Sequence, residues 1–442
     1  MAPAWTRVLM ALAFALASLP TSAAVAPSLP LDGYWSGWAE RGGVRSEIAV
    51  RLITRNGEES GTVDWPAMGY FRVDLLGVKI DQSDTRFSVP LPIGALKLLG
   101  RLHRDSITGT LEPIGLVRGE WQSLGKGGAF ELVRRDEPVI SYGIEDVTFQ
   151  SGDATIAGSL FLPLDKTPRP GVVFVAGSGN TTRGDGSFLA DRLARTGIAT
   201  LVYDKRGAGR SSGDWRRGGF EELAADATEA LKLLQRRPGI EPVRTGFVCQ
   251  SQGCWIVPIA LRSGAPARFL VAQSGPGVSV SDEDLDFYRV TLISQGFGPA
   301  DVDEAFKLVG INQRVSMGSA SWAELEAAIA KYRDLAWFQA LSFSPLPIDA
   351  PERVFERKTL AYDPAVDLDA IRIPSLWIYG DADTIIPVQD SIDTVRKAKS
   401  VPRPEVVILR GAGHSFTVGQ AIIPRLAAEY PDLVIDWINQ RE

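Results

Sequence analysis

One serine sits between two small residues at what reads as the junction of a strand and a helix. The run is Cys249-Gln250-Ser251-Gln252-Gly253, with an apolar β-like stretch at 245–249 before it and a helical stretch at 254–261 after it. A chain that passes from strand to helix in so few residues must turn sharply. Small residues two places before and two places after the turn let the two elements approach closely, as in the G-x-S-x-G arrangement, here with cysteine in place of the first glycine. The turn lifts the Ser251 hydroxyl clear of a sheet. It also sets exposed N–H groups at the start of a helix beneath it, where negative charge is favoured.

Such a junction requires strands followed by helices, and the chain from residue 145 onward supplies them. Candidate strands are 145–150, 155–162, 171–176, 199–203, 245–249, 269–272, 375–379 and 405–409. Several are continuous apolar runs, as expected of strands covered on both faces. Leu223, Ala227, Ala230, Leu231 and Leu234 fall on one face of a helix that ends before Pro238. The alternation predicts an α/β fold over residues 145–442, a doubly wound and mostly parallel sheet. Residues 277–362 interrupt it with helical texture alone, best at 300–309 and 322–341, and carry Phe287, Tyr288, Trp322, Trp337, Phe338 and Phe343. This segment reads as a helical cap inserted just before the next strand, where active-site lids tend to lie.

Residues 27–136 have a different texture. Short alternating runs at 47–54, 70–78, 107–111 and 129–133, punctuated by Asn56-Gly57 and Gly127-Gly128, predict a small antiparallel all-β domain, a sheet or half-barrel. Glu137-Pro138 marks the linker. His103 falls in this part and reads as structural or solvated. The first 24 residues have the three-part pattern of a secretory signal peptide: Arg7, an apolar run at 8–19, and the small-residue stretch Thr21-Ser22-Ala23-Ala24. The run is too short for a stable membrane span of about 20 residues. An exported protein is expected, periplasmic or extracellular.

The formal net charge is −6 with no basic stripe, so nucleic acid is not an expected partner. Arg216-Arg217 and Arg236-Arg237 read as solvated surface. With only two cysteines and two histidines in the chain, a structural zinc site is not expected. Cys249 and Cys254 flank the sharp turn, one on each element. Their side chains are expected to point apart and to stay unpaired.

A serine needs a base to act as a nucleophile. His414, in the glycine-rich run Gly411-Ala412-Gly413-His414-Ser415-Phe416, has no rival, because His103 is the only other histidine. The base needs a carboxylate to hold its tautomer. Gly380-Asp381-Ala382-Asp383 offers two. Asp383 is preferred, with Asp381 available to cap the turn. An oxyanion hole would draw one backbone N–H from Gln252, the residue after the serine. A second would come from the loop Ala176-Gly177-Ser178-Gly179-Asn180, with Ser178 first and Gly179 close behind.

These motifs together resemble the α/β-hydrolase superfamily from about residue 145 to the end of the chain. The resemblance is nearest to the dienelactone hydrolase, prolyl oligopeptidase and serine aminopeptidase-like branches. Tyr203-Asp204-Lys205-Arg206-Gly207-Ala208-Gly209-Arg210-Ser211 is similar to the "YDKRGxGxS" signature of that group. Gly177-Ser178-Gly179-Asn180 is similar to its "HGSGP" oxyanion loop, with Ala176 and Asn180 departing from it. The chain order Ser251, Asp383, His414 matches, with Asp383 at the aspartate position of the acid motif. The resemblance implies acyl transfer to water, with no cofactor and no metal. The leading expectation is a carboxylic ester hydrolase acting on small molecules, because the aromatic cap would suit an apolar acyl or aryl group. A peptidase or amidase is the second expectation, in which Asp282-Glu283-Asp284 could meet a substrate amino group. The third is a non-catalytic exported binding protein that uses the β domain. That domain resembles an accessory domain in front of some of these hydrolases.

Overall fold

Two sheets divide the chain. A computed structural model describes residues 31–441, apart from 82, 92–93, 118–119, 124–126, 165–167, 342 and 420–424. The expected leader, residues 1–24, lies outside the described residues.

The first sheet holds β1 (Gly33–Arg41), β2 (Val44–Arg55), β3 (Glu58–Trp65), β4 (Tyr70–Asp74), β5 (Leu76–Asp81), β6 (Asp84–Leu91), β7 (Gly94–His103), β8 (Ser106–Val117), β9 (Glu120–Ser123) and β10 (Gly128–Arg135). The order is β4-β3-β2-β1-β10-β8-β7-β6-β5, with β9 on β8, and every pairing is antiparallel. The two end strands are consecutive in sequence and joined by Leu75 alone. The Leu75 N–H donates to Gly61 O at 2.9 Å, so the sheet coils back toward its own start. Trp35, Trp65, Phe87, Leu98 and Phe130 fill the interior. Period-2 alternation puts them there: in β1, Trp35 and Ala39 point in while their neighbours are partly exposed. Each such side chain stabilises the barrel by about 2–3 kcal/mol of apolar burial. The buried Trp35 indole N–H is satisfied by Leu31 O at 2.9 Å.

The second sheet runs β11 (Tyr142–Ser151), β12 (Ala154–Pro163), β13 (Arg169–Val175), β14 (Ala199–Tyr203), β15 (Ile240–Gln250), β16 (Leu270–Gln273), β17 (Ser375–Gly380) and β18 (Glu405–Leu409), in the order β11-β12-β14-β13-β15-β16-β17-β18. The pairings of β12 with β11 and with β14 are antiparallel and all the others are parallel. Helices α1 (Ser187–Arg195), α2 (Phe220–Gln235) and α3 (Gly253–Arg262) follow strands β13, β14 and β15. The core is split by the sheet. Phe247, Cys249 and Trp377 face α2 and α3 on one side, while Phe174, Val248 and Ile378 face α1 on the other. All five apolar residues expected on one face of α2 are buried.

The segment between β16 and β17 is helical, as expected. It holds α4 (Val280–Ser294), α5 (Pro299–Ser316), α6 (Trp322–Tyr332), α7 (Ala336–Leu341), α8 (Glu352–Thr359) and α9 (Ala365–Asp369). Where the sequence predicts one helix at 322–341, the structure has two. In an unbroken helix, residues 332 and 337 would point away from one another. The break lets the Tyr332 and Trp337 rings pack, tilted, with centroids 5.2 Å apart inside a core that this segment makes for itself. The chain leaves and returns at one place: Val280 N–H donates to Tyr362 O at 3.3 Å and Ser281 N–H to Leu360 O at 3.1 Å. Helices α10 (Val388–Lys397) and α11 (Asp432–Asn439) complete the domain. Among the described residues no helix is long and apolar enough to cross a membrane.

The barrel is docked on the α/β domain through β4. Phe71 joins the second domain's core beside Phe161, and its carbonyl accepts from Ser187 Oγ at 2.6 Å. Glu137 in the linker is clamped by Arg51 and Arg72, at 2.6 and 3.0 Å.

Candidate active site

Ser251 stands where β15 ends, with φ 51°. This left-handed conformation costs a non-glycine residue roughly 1–2 kcal/mol. The following turn is closed by Cys254 N–H donating to Ser251 O at 2.8 Å. Gly253 begins α3 directly against β13, and a Cβ there would run into the carbonyl oxygen of Val175. The small residue after the serine is therefore a packing requirement.

The cysteines depart from expectation. Cys249 and Cys254 form a disulfide across the turn. Reading them as pointing apart neglected how tightly the elbow folds the start of the helix back on the strand. Their Cα atoms are 5.2 Å apart, inside the range a disulfide spans. Closing so short a loop stabilises the native state by about 2 kcal/mol in the chain-entropy account. A Cys249→Ala/Cys254→Ala variant should therefore lose about that much in urea unfolding. An unchanged midpoint would mean the pair contributes nothing.

His414 and Asp383 meet. His414 Nδ1 lies 2.7 Å from Asp383 Oδ2, and the carboxylate side chain is fully buried. Its Oδ1 accepts from the Ile385 N–H at 2.8 Å, which fixes the carboxylate plane. Asp381 points elsewhere: its Oδ1 accepts from the Gly411 N–H at 2.5 Å and ties the acid loop to the loop bearing His414. Serine and histidine are anchored on adjacent residues, the last of β16 and the one after it. Ser251 N–H donates to Gln273 O at 2.9 Å, and Ser274 Oγ donates to His414 O at 2.8 Å. Ser274, itself at φ 46°, was not singled out from sequence, because only its place beside the strand end gives it this function.

The loop after β13 runs past the serine so closely that a Cβ on Gly177 would lie 3.3 Å from that of Ser251. Among the described residues, the N–H groups of Ser178, Gly179 and Gln252 donate to no protein acceptor. His103 lies at the end of β7, paired in register with Ser106 at the barrel's edge and far in sequence and sheet from this group.

From the cap, the first turn of α4 brings Glu283 within electrostatic reach of Asp383. Burial pushes the Glu283 carboxyl up to about 8, assisted by the negative charges of Asp284, Asp383 and Asp286. Asp284 is raised by burial as well, against a hydrogen bond from Gln313 that lowers it. The aromatic residues of the cap divide: Trp337 and Phe338 belong to its core, whereas Phe287 is exposed beside Tyr288. A cavity of about 890 Å³ between barrel and α/β domain reaches Gln250 and Ser415, the chain neighbours of Ser251 and His414, without touching either. Tyr70, Arg72 and Leu76 form its barrel-side wall.

No curated protein matches the chain in sequence. Among solved structures, an esterase of Pyrococcus furiosus is similar at 15% identity and a TM-score of 0.42, covering 68% of this chain and 89% of its own. A dienelactone hydrolase of Anabaena variabilis is similar at 14% identity and a TM-score of 0.39, covering 68% of this chain and 98% of its own. The protein titled DcsB, in complex with a substrate analogue, is similar at 16% identity and a TM-score of 0.46, covering 68% of this chain and all of its own. The sequence profile described as "Alpha/beta hydrolase family" matches residues 172–421, more than half of the chain. That stretch runs from β13 through the elbow and the acid loop to the histidine loop, and on it the chain belongs to the alpha/beta hydrolase family.

Proposed function

We propose that this hydrolase is an exported serine hydrolase that cleaves carboxylic esters through an acyl-enzyme. The observation that carries the reading is the buried Asp383 carboxylate bonded to His414 Nδ1, on a loop anchored beside the strained Ser251 elbow. Ser251 Oγ attacks the ester carbonyl carbon while His414 Nε2 takes the hydroxyl proton. The carbonyl oxygen becomes an oxyanion, met by the N–H of Gln252 and by that of Ser178 or Gly179. The C–O bond to the leaving alcohol then breaks, and the imidazolium returns the proton to that alcohol. Water, deprotonated by His414, attacks the acyl-serine and releases the acid. Asp383 holds the Nδ1–H tautomer and stabilises the imidazolium. Neither a cofactor nor a metal takes part in these steps. Export rests on the leader-like residues 1–24, with the periplasm or the exterior as destination.

One observation favours a second reading. Glu283 stands close enough to the triad to feel Asp383, where a substrate amino group could meet it, as a peptidase or amidase would require. A panel of p-nitrophenyl esters of rising chain length beside aminoacyl and peptidyl p-nitroanilides separates the two. Ester turnover far above anilide turnover is expected. Comparable rates on the anilides would replace the esterase reading with the peptidase one.

A further inference from the structure

Lys205, just after β14, is a buried lysine that forms no ion pair with a carboxylate among the described residues; it is only 5% exposed. Its ammonium donates to Gly177 O at 2.5 Å and to Gln252 Oε1 at 3.1 Å. Its backbone N–H donates to Thr181 O at 3.1 Å. Its neighbours hold the same loop. Asp204 accepts from the Arg183 N–H at 2.8 Å and from the Arg183 guanidinium, and the Trp215 indole N–H donates to Asn180 Oδ1 at 2.7 Å. The loop is thus fastened at residues 177, 180, 181 and 183. Residues 178 and 179, whose N–H groups are the candidate oxyanion donors, lie between the fastened points.

Burying an ammonium group is costly, and an apolar side chain could fill the same volume. What a methionine could not do is bridge the loop carbonyl to the side chain of Gln252. We propose that Lys205 is a positioning residue of the oxyanion hole. It ties the loop that carries Ser178 and Gly179 to Gln252, and so holds the two donors at one spacing. The inference rests on the serine hydrolase reading above. Lys205 touches no reacting atom; it acts through the two segments it joins. Burial pushes its ammonium down to about 8, opposed by Asp185, the charged group that faces it. The other groups against it are neutral: Gly177 O, Gln252 and the Trp215 ring, 5.7 Å from Nζ. Losing the proton removes the charge and one N–H donor, so the clamp loosens as pH rises through that value.

The test compares wild type, Lys205→Met and Lys205→Arg on p-nitrophenyl butyrate, with phenylboronic acid as the inhibitor whose serine adduct places an oxygen in the oxyanion hole. In Lys205→Met, kcat should fall on the order of 10²-fold, as when one oxyanion donor is lost. KM should change little, and boronate affinity should fall alongside kcat. Lys205→Arg should recover most of the rate. A kcat near wild type in Lys205→Met, a loss confined to KM, or unchanged boronate affinity would overturn the proposal. If thermal melts show that Lys205→Met does not fold, the pH profile decides. Wild-type kcat should decline as pH passes about 8, and Lys205→Arg, which cannot titrate there, should not. The same decline in both proteins overturns the proposal. Ser251→Ala, assayed in parallel, separates the two levels. Turnover surviving in that variant sinks the hydrolase reading itself, whereas an inactive Ser251→Ala beside a fully active Lys205→Met sinks only the role of Lys205.

Discussion

Ser251→Ala should abolish ester turnover, with a fall in kcat on the order of 10⁶-fold, the size of loss when the nucleophile of a triad is removed. The variant should stay folded. Among the described residues the Ser251 hydroxyl makes no hydrogen bond, so its removal leaves no buried partner unsatisfied. The backbone does the structural work: the turn is closed through Ser251 N–H and O, which alanine retains. Alanine also keeps the strain of φ 51°, whereas glycine would release it. Ser251→Gly should therefore be equally inactive but more stable than Ser251→Ala, by up to about 1 kcal/mol after glycine's entropy cost. Urea unfolding of both variants checks this, and kcat on p-nitrophenyl butyrate checks the chemistry. A fluorophosphonate probe should label Ser251 in the wild type and nothing in either variant. Full turnover in Ser251→Ala, or labelling at another residue, would remove Ser251 from its proposed place. A stabler, dead glycine variant would show that the strain is held for the sake of the hydroxyl's position.

The parts legible in the sequence were those that local chemistry restricts. The elbow is legible because a strand-to-helix turn that presses a helix start against β13 leaves no room for a side chain at Gly253. The α/β order is legible because strands covered on both faces must be largely apolar, and β13, β14, β16, β17 and the 246–249 end of β15 are. The meeting of His414 with Asp383 is legible because a chain with two histidines offers little choice. What was not legible depends on distances between segments. Pairing of Cys249 with Cys254 turns on how tightly the elbow closes, and residue types do not report that. The barrel's ten strands were seen as four runs. Its closure through Leu75 is a property of sheet curvature and leaves no local pattern. The 70–78 run even spans the break between the two end strands. Lys205 stands in the 203–211 motif, yet its partners, Gly177 and Gln252, come from two other loops. The electrostatic influence of Asp383 on Glu283 likewise links the cap to a loop about a hundred residues later, and only the fold brings them near one another.

Asp383→Asn should lower kcat by about 10⁴-fold, and the reason is one of tautomer. In the native site Oδ1 of Asp383 accepts from the Ile385 N–H at 2.8 Å, which leaves Oδ2 to accept from His414 Nδ1–H at 2.7 Å. An asparagine side chain must still present its oxygen to the Ile385 N–H, so its NH₂ group turns toward the imidazole. A donor facing Nδ1 forces the proton onto Nε2, and a protonated Nε2 cannot take the serine hydroxyl proton. Geometry survives while the base is switched off. Asp381→Asn is the matched control. Its oxygen still accepts from the Gly411 N–H, so the histidine loop stays tethered and kcat should change only a few-fold, as for a partly exposed hydrogen bond worth about 1 kcal/mol. Substituting Asp383 also removes one of the negative charges that hold the Glu283 carboxyl up near 8. In Asp383→Asn that carboxyl should titrate lower, a shift that carbonyl-labelled infrared difference spectra can follow. Because a raised carboxyl pKa favours the native state at low pH and loses that contribution as pH rises through it, the variant should also show a smaller loss of stability between about pH 4.5 and 8. A greater rate loss in Asp381→Asn than in Asp383→Asn would exchange the two carboxylates. The His414 contact at 2.7 Å and the complete burial of the Asp383 side chain are the reasons to expect otherwise.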